Sequence, residues 1–374
     1  MSEGPIQRVL MTADTVGGVW TFALELARGL AAHGVEVILA AMGGFPSDEQ
    51  RREAASLANL RLLASSYRLE WMERPWADVD DSSGWLLDLT RRYEPDVIHL
   101  NGYCHGALPF GAPVIMTAHS CVLSWWNAVR NEEAPPEWDL YQRRVRQGLL
   151  AADLLTAPSN AMLETIKRHY GPGLPAARMI PNGRDGGLFR PDAKKPMIFA
   201  AGRLWDEAKN VQALTRIAAS LPWPVWLAGE DRHPMNAPAD AAEPAANGTL
   251  RLGHLPARRL ADCCACAAIF AHPARYEPFG LTVLEAAMSG CALVLGDIPS
   301  LRENWNGAAL FVPPDEPERL KETLLELTGN PALREQMGRR SLARASFFSA
   351  EQMAADYMAA YGAVTAGRRV ACVS

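Results

Sequence analysis

The sequence lacks any long apolar run and any strong charge bias. No stretch approaches the roughly 20 apolar residues that a membrane-spanning helix requires, and the polar start of the chain is unlike a secretory signal peptide. The 37 basic and 42 acidic residues give a net charge of −5, which argues against nucleic acid and against strong attraction to anionic lipid. We therefore expect a cytoplasmic protein with no nucleic-acid partner and at most peripheral membrane contact.

Cysteine is scarce, and its spacing is poor for a metal site. Seven cysteines, an odd number, fit a reducing compartment better than a disulfide framework. Cys263, Cys264 and Cys266 are crowded, but no C-x2-C pair repeats and adjacent cysteines give poor chelate geometry. They lie in Arg258–Ala268, a segment typical of a packed helix, so we expect neither zinc nor redox chemistry there.

Two further motifs of nucleotide enzymes are missing or misplaced. The segment Thr12–Val19 follows the first predicted strand and contains adjacent glycines, Gly17 and Gly18, but not the G-x-G-x-x-G pattern that dinucleotide-binding enzymes require. Asp78 and Asp80 form a D-x-D metal motif, which we predict to lie in a polar loop rather than at a strand end. We therefore disfavour an NAD-dependent oxidoreductase, treat the D-x-D match as chance, and predict a site without metal or other cofactor.

Short β-rich runs alternate with helical runs in two series along the 374 residues. The first series extends from Arg8–Met11 to Ala177–Ile180, and the second from Met197–Ala201 to Ala292–Leu295. This alternation predicts parallel sheets covered by helices on both faces. Because the Gly/Pro-rich segment Pro181–Pro196 separates the series, we predict an α/β protein of two Rossmann-like domains, with ligand bound in a cleft at the carboxyl ends of the strands.

The predicted organisation has four parts. An N-terminal domain covers residues 1–190, a C-terminal domain covers residues 191–345, and a final helical segment covers residues 346–366. We expect residues 367–374 to form a frayed tail. The Ala/Pro-rich segment Ala237–Asn247 is predicted to be a loop.

The most informative segment holds two carboxylates, Glu277 and Glu285, eight residues apart. Between them a Pro-Phe-Gly turn opens an apolar helix, so the amide groups of Phe279, Gly280 and Leu281 are expected to be unpaired helix-start donors that attract anions. Glu277 would accept hydrogen bonds from sugar hydroxyls, the amides would bind phosphate, and Glu285 would bind a ribose diol. A nucleotide sugar has those three parts in that order.

Two basic residues, Arg203 and Lys209, follow the first strand of the second series. Arginine grips a diphosphate with a planar fork and lysine acts as a point charge. Fixed cations stabilise the charge that develops on a departing diphosphate more than they stabilise the ground state. The alternative is a surface pair without function, which we disfavour because the fold is expected to bring both residues near Glu277 and Glu285.

A histidine, His119, ends the predicted strand Val114–Thr117 and should therefore face the cleft. The alternative is a structural histidine with a satisfied hydrogen bond. Trp125 and Trp126 follow it closely, and aromatic faces stack on sugar rings, although tryptophan in a helix more often packs in the core. Both interpretations stay open for these tryptophans.

These segments closely resemble the landmarks of retaining glycosyltransferases with the GT-B fold, particularly glycosyltransferase family 4, also called glycosyl transferases group 1. Glu277–Glu285 resembles the family's E-x7-E motif, Gly202–Asn210 its G-R-L…K-N element and Thr12–Val19 its glycine loop. Thr117–His119 resembles the segment with its active-site histidine, and Pro181–Gly183 its interdomain passage. The landmarks occur in the family's order along nearly the whole chain.

The resemblance implies a retaining, metal-independent hexosyltransferase of GT-B fold, of the kind used in polysaccharide biosynthesis. Its donor would be a UDP or GDP sugar, bound as a co-substrate, and its acceptor a hydroxyl group on a glycan, a lipid-linked molecule or a small molecule. Implied catalytic residues are Arg203, Lys209, Glu277 and His119. Implied donor-binding residues are Gly17, Gly18, Arg203, Lys209, Glu277, Phe279, Gly280, Leu281 and Glu285.

Two other functions stay open on the sequence. One is a sugar-nucleotide epimerase of the same fold, which would form product without an acceptor. The other is a non-catalytic protein that binds a sugar or a partner on this scaffold. The second is disfavoured because Arg203, Lys209 and Glu277 are all present.

Overall fold

The structure, a computed structural model, describes residues 6–231 and 248–373. The chain divides into two compact units. The first unit contains the chain up to Asn127, Glu132–Gly183 and the chain from Ala350, and the second contains Ala128–Asn131 and Arg184–Ser349. The predicted loop Ala237–Asn247 lies outside the described residues.

In its described residues, the first unit is built on a seven-stranded parallel sheet. The strands are β1 (Arg8–Asp14), β2 (Glu36–Met42), β3 (Leu60–Ala64), β4 (Val97–Leu100), β5 (Val114–Thr117), β6 (Leu154–Ala157) and β7 (Ala177–Met179). Their order across the sheet is β3-β2-β1-β4-β5-β6-β7. The helices are α1 (Gly18–Ala31), α2 (Asp48–Ala55), α3 (Trp76–Tyr93), α4 (Val122–Arg130), α5 (Asp139–Ala151) and α6 (Asn160–Tyr170).

As far as residues 184–231 and 248–349 describe it, the second unit is built on a six-stranded parallel sheet. Its strands are β8 (Lys195–Ala201), β9 (Val225–Ala228), β10 (Thr249–Arg251), β11 (Ala267–His272), β12 (Ala292–Gly296) and β13 (Ala309–Val312), in the order β10-β9-β8-β11-β12-β13. The helices are α7 (Val211–Ile217), α8 (Ala257–Cys266), α9 (Leu281–Met288), α10 (Pro299–Trp305), α11 (Pro317–Gly329) and α12 (Pro331–Ala345).

Both faces of the second sheet are buried, as strand β8 shows. Met197, Phe199 and Ala201 pack in one apolar cluster, and Ile198 and Ala200 pack in another. Because successive side chains of a strand point to opposite faces, the two clusters lie on opposite sides of the sheet. Polar side chains that serve a site are therefore expected at the ends of the strands, and the loops that follow them carry the charged groups described below.

The last helix, α13 (Ala350–Val373), belongs to the first unit. It packs closely on α1: a Cβ atom added to Gly29 would lie 2.6 Å from the Cβ atom of Ala354. The helix continues well past Tyr361 and ends at Val373, so it includes most of the segment predicted to be a frayed tail.

Buried polar side chains also join α13 to the first sheet. His99 Nδ1 lies 2.7 Å from the Tyr361 hydroxyl, and His99 Nε2 lies 2.7 Å from Thr117 Oγ1. The same Thr117 hydroxyl lies 3.2 Å from that of Tyr357. His99 thus has a structural role between strands and helix. Among residues 6–231 and 248–373, no helix is both long and apolar enough to cross a membrane.

Candidate functional site

The charged residues of the second unit lie in loops at one edge of its sheet. Strand β8 leads into the Arg203–Asn210 loop, and strand β11 leads into the loop that contains Glu277. The two strands are parallel neighbours, so the loops that follow their carboxyl ends meet at the same edge. This topology brings Lys209 to Glu277 although 68 residues separate them in the chain.

Lys209, Glu277 and His272 form one hydrogen-bonded cluster. Lys209 Nζ lies 2.6 Å from Glu277 Oε2, and His272 Nε2 lies 3.0 Å from the same oxygen. An ionised carboxylate only accepts hydrogen bonds, so His272 Nε2 donates its hydrogen. Both donors converge on Oε2, and Oε1 of Glu277 has no hydrogen-bond partner within the described ranges.

The cluster is buried, and its carboxylate is ionised. The side chains of Lys209, Glu277 and His272 are 13%, 12% and 4% exposed. Burial alone would raise the pKa of Glu277, but attraction to Lys209 and the hydrogen bond from His272 outweigh it and hold that pKa well below its ordinary value. Glu277 is therefore a fixed negative charge with one oxygen left to accept a hydrogen bond.

Side-chain hydrogen bonds fix the loop that presents Lys209. Asp206 Oδ1 accepts from the Ala208 amide at 3.0 Å and caps the short 3-10 turn Glu207–Lys209. Asn210 then takes a left-handed backbone conformation with φ of 53°. Its side-chain amide donates to the Pro273 carbonyl at 2.9 Å, which ties this loop to the loop after β11.

Arg203 is paired with Asp206. Its Nη2 atom lies 2.8 Å from Asp206 Oδ2, and its guanidinium stacks 5.4 Å from the centre of the Trp205 ring. The Arg203 side chain is 38% exposed. The structure thus holds Arg203 through a side chain that also caps the Lys209 turn, and leaves part of its fork accessible.

The start of α9 has the predicted turn. Phe279 is buried against Phe348, with ring centres 5.5 Å apart, so its side chain serves the core. Gly280 has φ of 90°, and a Cβ atom there would lie 3.0 Å from Val283 Cγ2, so the turn requires glycine. Gly280 provides no side-chain cap. The first amides of α9, from Leu281 on, receive no hydrogen bond from a capping side chain at Gly280, and their binding of an anion stays a prediction.

The second carboxylate of the motif, Glu285, lies inside α9 and is paired. Arg184 Nε and Nη2 both lie 2.7 Å from Glu285 Oε1. The side chains of Arg184 and Glu285 are only 10% and 4% exposed. A charge buried to that extent requires a partner. The sequence did not indicate Arg184, although it directly follows the segment predicted to be the interdomain passage.

The predicted residues of the first unit lie at the carboxyl edge of its own sheet. Gly17 has φ of 106°, and α1 begins at Gly18, after a short loop that follows β1. His119 follows β5, and its Nε2 atom lies 2.8 Å from Asn101 Oδ1. Asn101 in turn donates from Nδ2 to the Thr12 carbonyl at 2.6 Å. Side-chain hydrogen bonds therefore hold the ends of β1, β4 and β5 together.

His119 is neutral in this environment. Since the Asn101 amide nitrogen donates to Thr12, its oxygen is the acceptor, and His119 Nε2 carries the hydrogen. His119 keeps a partly exposed edge and contacts the Phe22 ring at 4.5 Å between centres, and burial lowers its pKa to about 3. The other ring nitrogen, Nδ1, is then a hydrogen-bond acceptor. Trp125 and Trp126 are half-buried on α4, with ring centres 5.8 Å apart.

The expected position of the D-x-D sequence is wrong. Asp78 and Asp80 lie within helix α3 rather than in a loop. Asp78 Oδ2 accepts from the Arg68 amide at 2.8 Å, and Asp80 Oδ1 lies 2.5 Å from Arg144 Nη2. Across the ranges that the structure describes, no cluster of three or more His, Cys, Asp or Glu residues is arranged to hold a metal ion. Cys263, Cys264 and Cys266 lie on helix α8, which confirms the helix predicted for this segment.

Two family models match the chain. The model of Glycosyltransferase Family 4 matches residues 16–186, and that of Glycosyl transferases group 1 matches residues 195–330. Two parallel-sheet α/β units confirm the GT-B fold that the sequence predicts. The chain belongs to glycosyltransferase family 4 and the group 1 glycosyltransferases.

Individual relatives agree with this assignment. The D-inositol 3-phosphate glycosyltransferase of Corynebacterium efficiens is 25% identical over 389 residues, which cover 93% of this chain and 91% of that protein. A GDP-mannose-dependent alpha-mannosyltransferase of Mycolicibacterium smegmatis is 26% identical over 237 residues, 58% of this chain and 60% of that protein. The structure of Anabaena Alr3699/HepE in complex with UDP and glucose has a TM-score of 0.73 and 14% identity, and covers 96% of this chain and 100% of that one. The last similarity concerns the fold.

Proposed function

We propose that this chain is a retaining hexosyltransferase, which moves a hexosyl group from a nucleotide diphosphate sugar to a hydroxyl group of an acceptor. The observation that carries the proposal is the cluster of Lys209, Glu277 and His272 beside the uncapped start of α9. The cluster supplies a cation, a carboxylate with one unpaired oxygen, and helix-start amides. Together these groups match the diphosphate and the sugar hydroxyls of a single donor.

The donor is held by the second unit. Lys209, Arg203 and the amides from Leu281 on bind the diphosphate, and Glu277 Oε1 accepts a hydrogen bond from a sugar hydroxyl. Glu285 contacts the ribose while Arg184 balances its charge. The mannosyltransferase relative is named for GDP-mannose, and the Anabaena protein binds UDP and glucose. We therefore take a hexosyl donor of UDP or GDP as the substrate class.

The reaction proceeds through an oxocarbenium-like sugar as the bond to the leaving phosphate breaks. Lys209 and Arg203 stabilise the negative charge that appears on the diphosphate. A phosphate oxygen of the leaving group takes the proton of the acceptor hydroxyl, which attacks the same face of the sugar and retains its configuration. Because protein cations and amides already balance the diphosphate, the reaction needs neither a metal ion nor another cofactor.

The first unit receives the acceptor, which is a glycan, a lipid-linked molecule or a small molecule. His119 is neutral, and its Nδ1 atom accepts a hydrogen bond from a hydroxyl of a bound sugar. The glycine loop at Gly17 and Gly18 lets backbone approach a ligand closely. Neutral groups of this kind orient hydroxyls without attracting a competing anion.

The test is transfer from UDP- and GDP-hexoses to a panel of sugar, polyol and lipid-linked acceptors, with the anomeric configuration of the product determined by NMR. An α-linked donor is expected to give an α-glycoside. An incubation with donor alone is the control for an epimerase, which would convert the donor without acceptor. A product of inverted configuration would overturn the retaining mechanism, and donor conversion without acceptor would favour the epimerase.

A further inference from the structure

His272 has no role in the motifs of the sequence, yet the structure places it against Glu277, the central carboxylate of the proposed donor site. It is the last residue of β11, and Glu277 lies five residues farther along the chain. Its side chain is 4% exposed and its ring lies nearly parallel to that of Phe270, with centres 6.3 Å apart and 19° between the planes. Its burial and its position at a strand end restrict the orientation of the histidine ring.

The two side chains that donate hydrogen bonds to Glu277 differ in conformational freedom. Lys209 is a long, flexible side chain with three N–H groups, and the proposed function asks it to meet a diphosphate as well. His272 is short, and a buried ring on a strand has little rotamer freedom. When the lysine turns toward a diphosphate, the hydrogen bond from His272 is the one that keeps Glu277 Oε2 in place.

We propose that His272 is a positioning residue: it holds Glu277 Oε2 so that Oε1 stays directed at a hydroxyl of the transferred hexose. The inference rests on the proposed function and deepens it, since it assigns recognition of the sugar to a pair rather than to Glu277 alone. Ser300 Oγ donates to the Glu277 carbonyl and fixes the backbone of the same residue. The carboxylate is then held from its backbone and from one of its two oxygens.

The experiment compares His272→Phe, which keeps a ring without a donor, with His272→Gln, whose amide N–H reaches about as far as Nε2. His272→Phe is expected to lower kcat roughly tenfold with less than a twofold change in donor KM, because catalysis suffers when a group is misplaced by even an ångström. His272→Gln should recover most of that loss. His105→Phe is the matched control, since His105 is also buried and hydrogen-bonded but lies in the first unit against Ser82.

Donors that lack a single hydroxyl distinguish a positioning role of His272 from a merely structural one. For the wild-type enzyme, removal of the hydroxyl that Glu277 binds should lower kcat/KM sharply. In His272→Phe that discrimination should shrink toward the value of Glu277→Ala, a change that a loss of thermal stability alone would not produce. If the Phe variant does not fold, His272→Asn replaces it, because its amide is too short to reach Glu277.

The outcomes separate cleanly. A His272→Phe enzyme with wild-type kcat and unchanged discrimination among deoxy donors overturns the positioning role, even if its Tm falls. A wild-type protein that transfers no hexose from any nucleotide sugar overturns the proposed function instead. Equal losses in His272→Gln and His272→Phe would also contradict the inference, since they would show that the hydrogen bond is not what matters.

Discussion

The carboxyl edges of the two sheets have the same topology and opposite chemistry. In the first unit, the hydrogen-bonded groups around the predicted histidine are neutral: His119 bonds to Asn101, which bonds to Thr12. In the second unit, the groups are ionised, with Lys209 on Glu277 at 2.6 Å and Arg184 on Glu285 at 2.7 Å. Both edges follow from parallel β-α-β units, so the fold alone does not decide which ligand binds where.

The difference lies in how each edge treats a buried polar group. The first edge keeps its histidine uncharged, because burial lowers the pKa of His119 to about 3. The second edge keeps its carboxylate charged by placing a lysine and a histidine on it. The proposed function uses this contrast, since it assigns the charged diphosphate of the donor to the second unit and the hydroxyls of the acceptor to the first.

The largest effect is expected at Lys209. Lys209→Ala should lower turnover at saturating donor by roughly a hundredfold or more, because it removes a cation that stabilises the developing phosphate charge. Arg203→Ala should act in the same direction. Lys167→Ala is a matched control: Lys167 forms an exposed pair with Glu164 in the first unit and should be neutral. Near-normal turnover in both site variants, measured by initial rates, would refute the assignment of these residues to the diphosphate.

Substitutions of the two carboxylates, Glu277 and Glu285, should affect different kinetic constants. Glu277→Gln should mainly lower kcat, by roughly tenfold or more, because its hydroxyl contact orients the sugar during bond breaking. Glu285→Gln should mainly raise donor KM, because Glu285 serves the nucleotide and not the reacting carbon. Steady-state kinetics with varied donor distinguish the two. If both substitutions changed only donor affinity, and to the same extent, Glu277 and Glu285 would not have the different roles proposed here.

Much of this site was visible in the sequence because its parts are local. The turn at Gly280 and the start of α9 at Leu281 depend on residues within one segment, and the structure has both. Arg184 and His272 were not assigned to the site, since their roles depend on tertiary pairing. Arg184 is hydrogen-bonded to Glu285, from which 101 residues of chain separate it. No local sequence pattern predicts that pair.

The sequence predicted some elements of the fold correctly and missed others. Apolar strands such as Val114–Thr117 were found at their observed bounds. The edge strands β3 and β13 were not predicted, whereas the edge strand β7 was. Helix α3 was mistaken for a loop at Asp78 and Asp80, since polar and small residues fill its first turns; only its buried positions, such as Val79 and Leu86, show the helical period.

A smaller effect should appear in the stability of the first unit at mildly acidic pH. Burial lowers the pKa of His99 to about 3, so between roughly pH 6.5 and pH 3 the unfolded chain binds a proton at His99 that the folded chain does not. Folding stability contributed by His99 is therefore present above pH 6.5 and is lost as pH falls. The loss is about 1.4 kcal/mol between pH 7.5 and pH 5.5.

Urea unfolding at both pH values, on wild type and His99→Asn, measures that effect. The variant should be less stable at pH 7.5, because Tyr361 and Thr117 lose their partner, but its stability should fall less steeply with acid. His33→Asn is the control, since His33 is exposed. Parallel slopes for wild type and His99→Asn would mean that His99 is protonated in the folded protein, and the first unit would then be less neutral than proposed.

The smallest expected effect is none at all: exhaustive EDTA treatment should leave transfer activity unchanged. The reason is the charge already present at the second edge, where Lys209, Arg203 and the start of α9 balance a diphosphate in the way that Mg²⁺ does elsewhere. The D-x-D carboxylates are already engaged, Asp78 with the Arg68 amide and Asp80 with Arg144. Initial rates before and after chelation, with a desalted sample as control, are the measurement. Complete loss that Mg²⁺ or Mn²⁺ restores would mean that protein cations do not suffice, and the contrast between a neutral and an ionised edge would then have to include a metal ion on the ionised side.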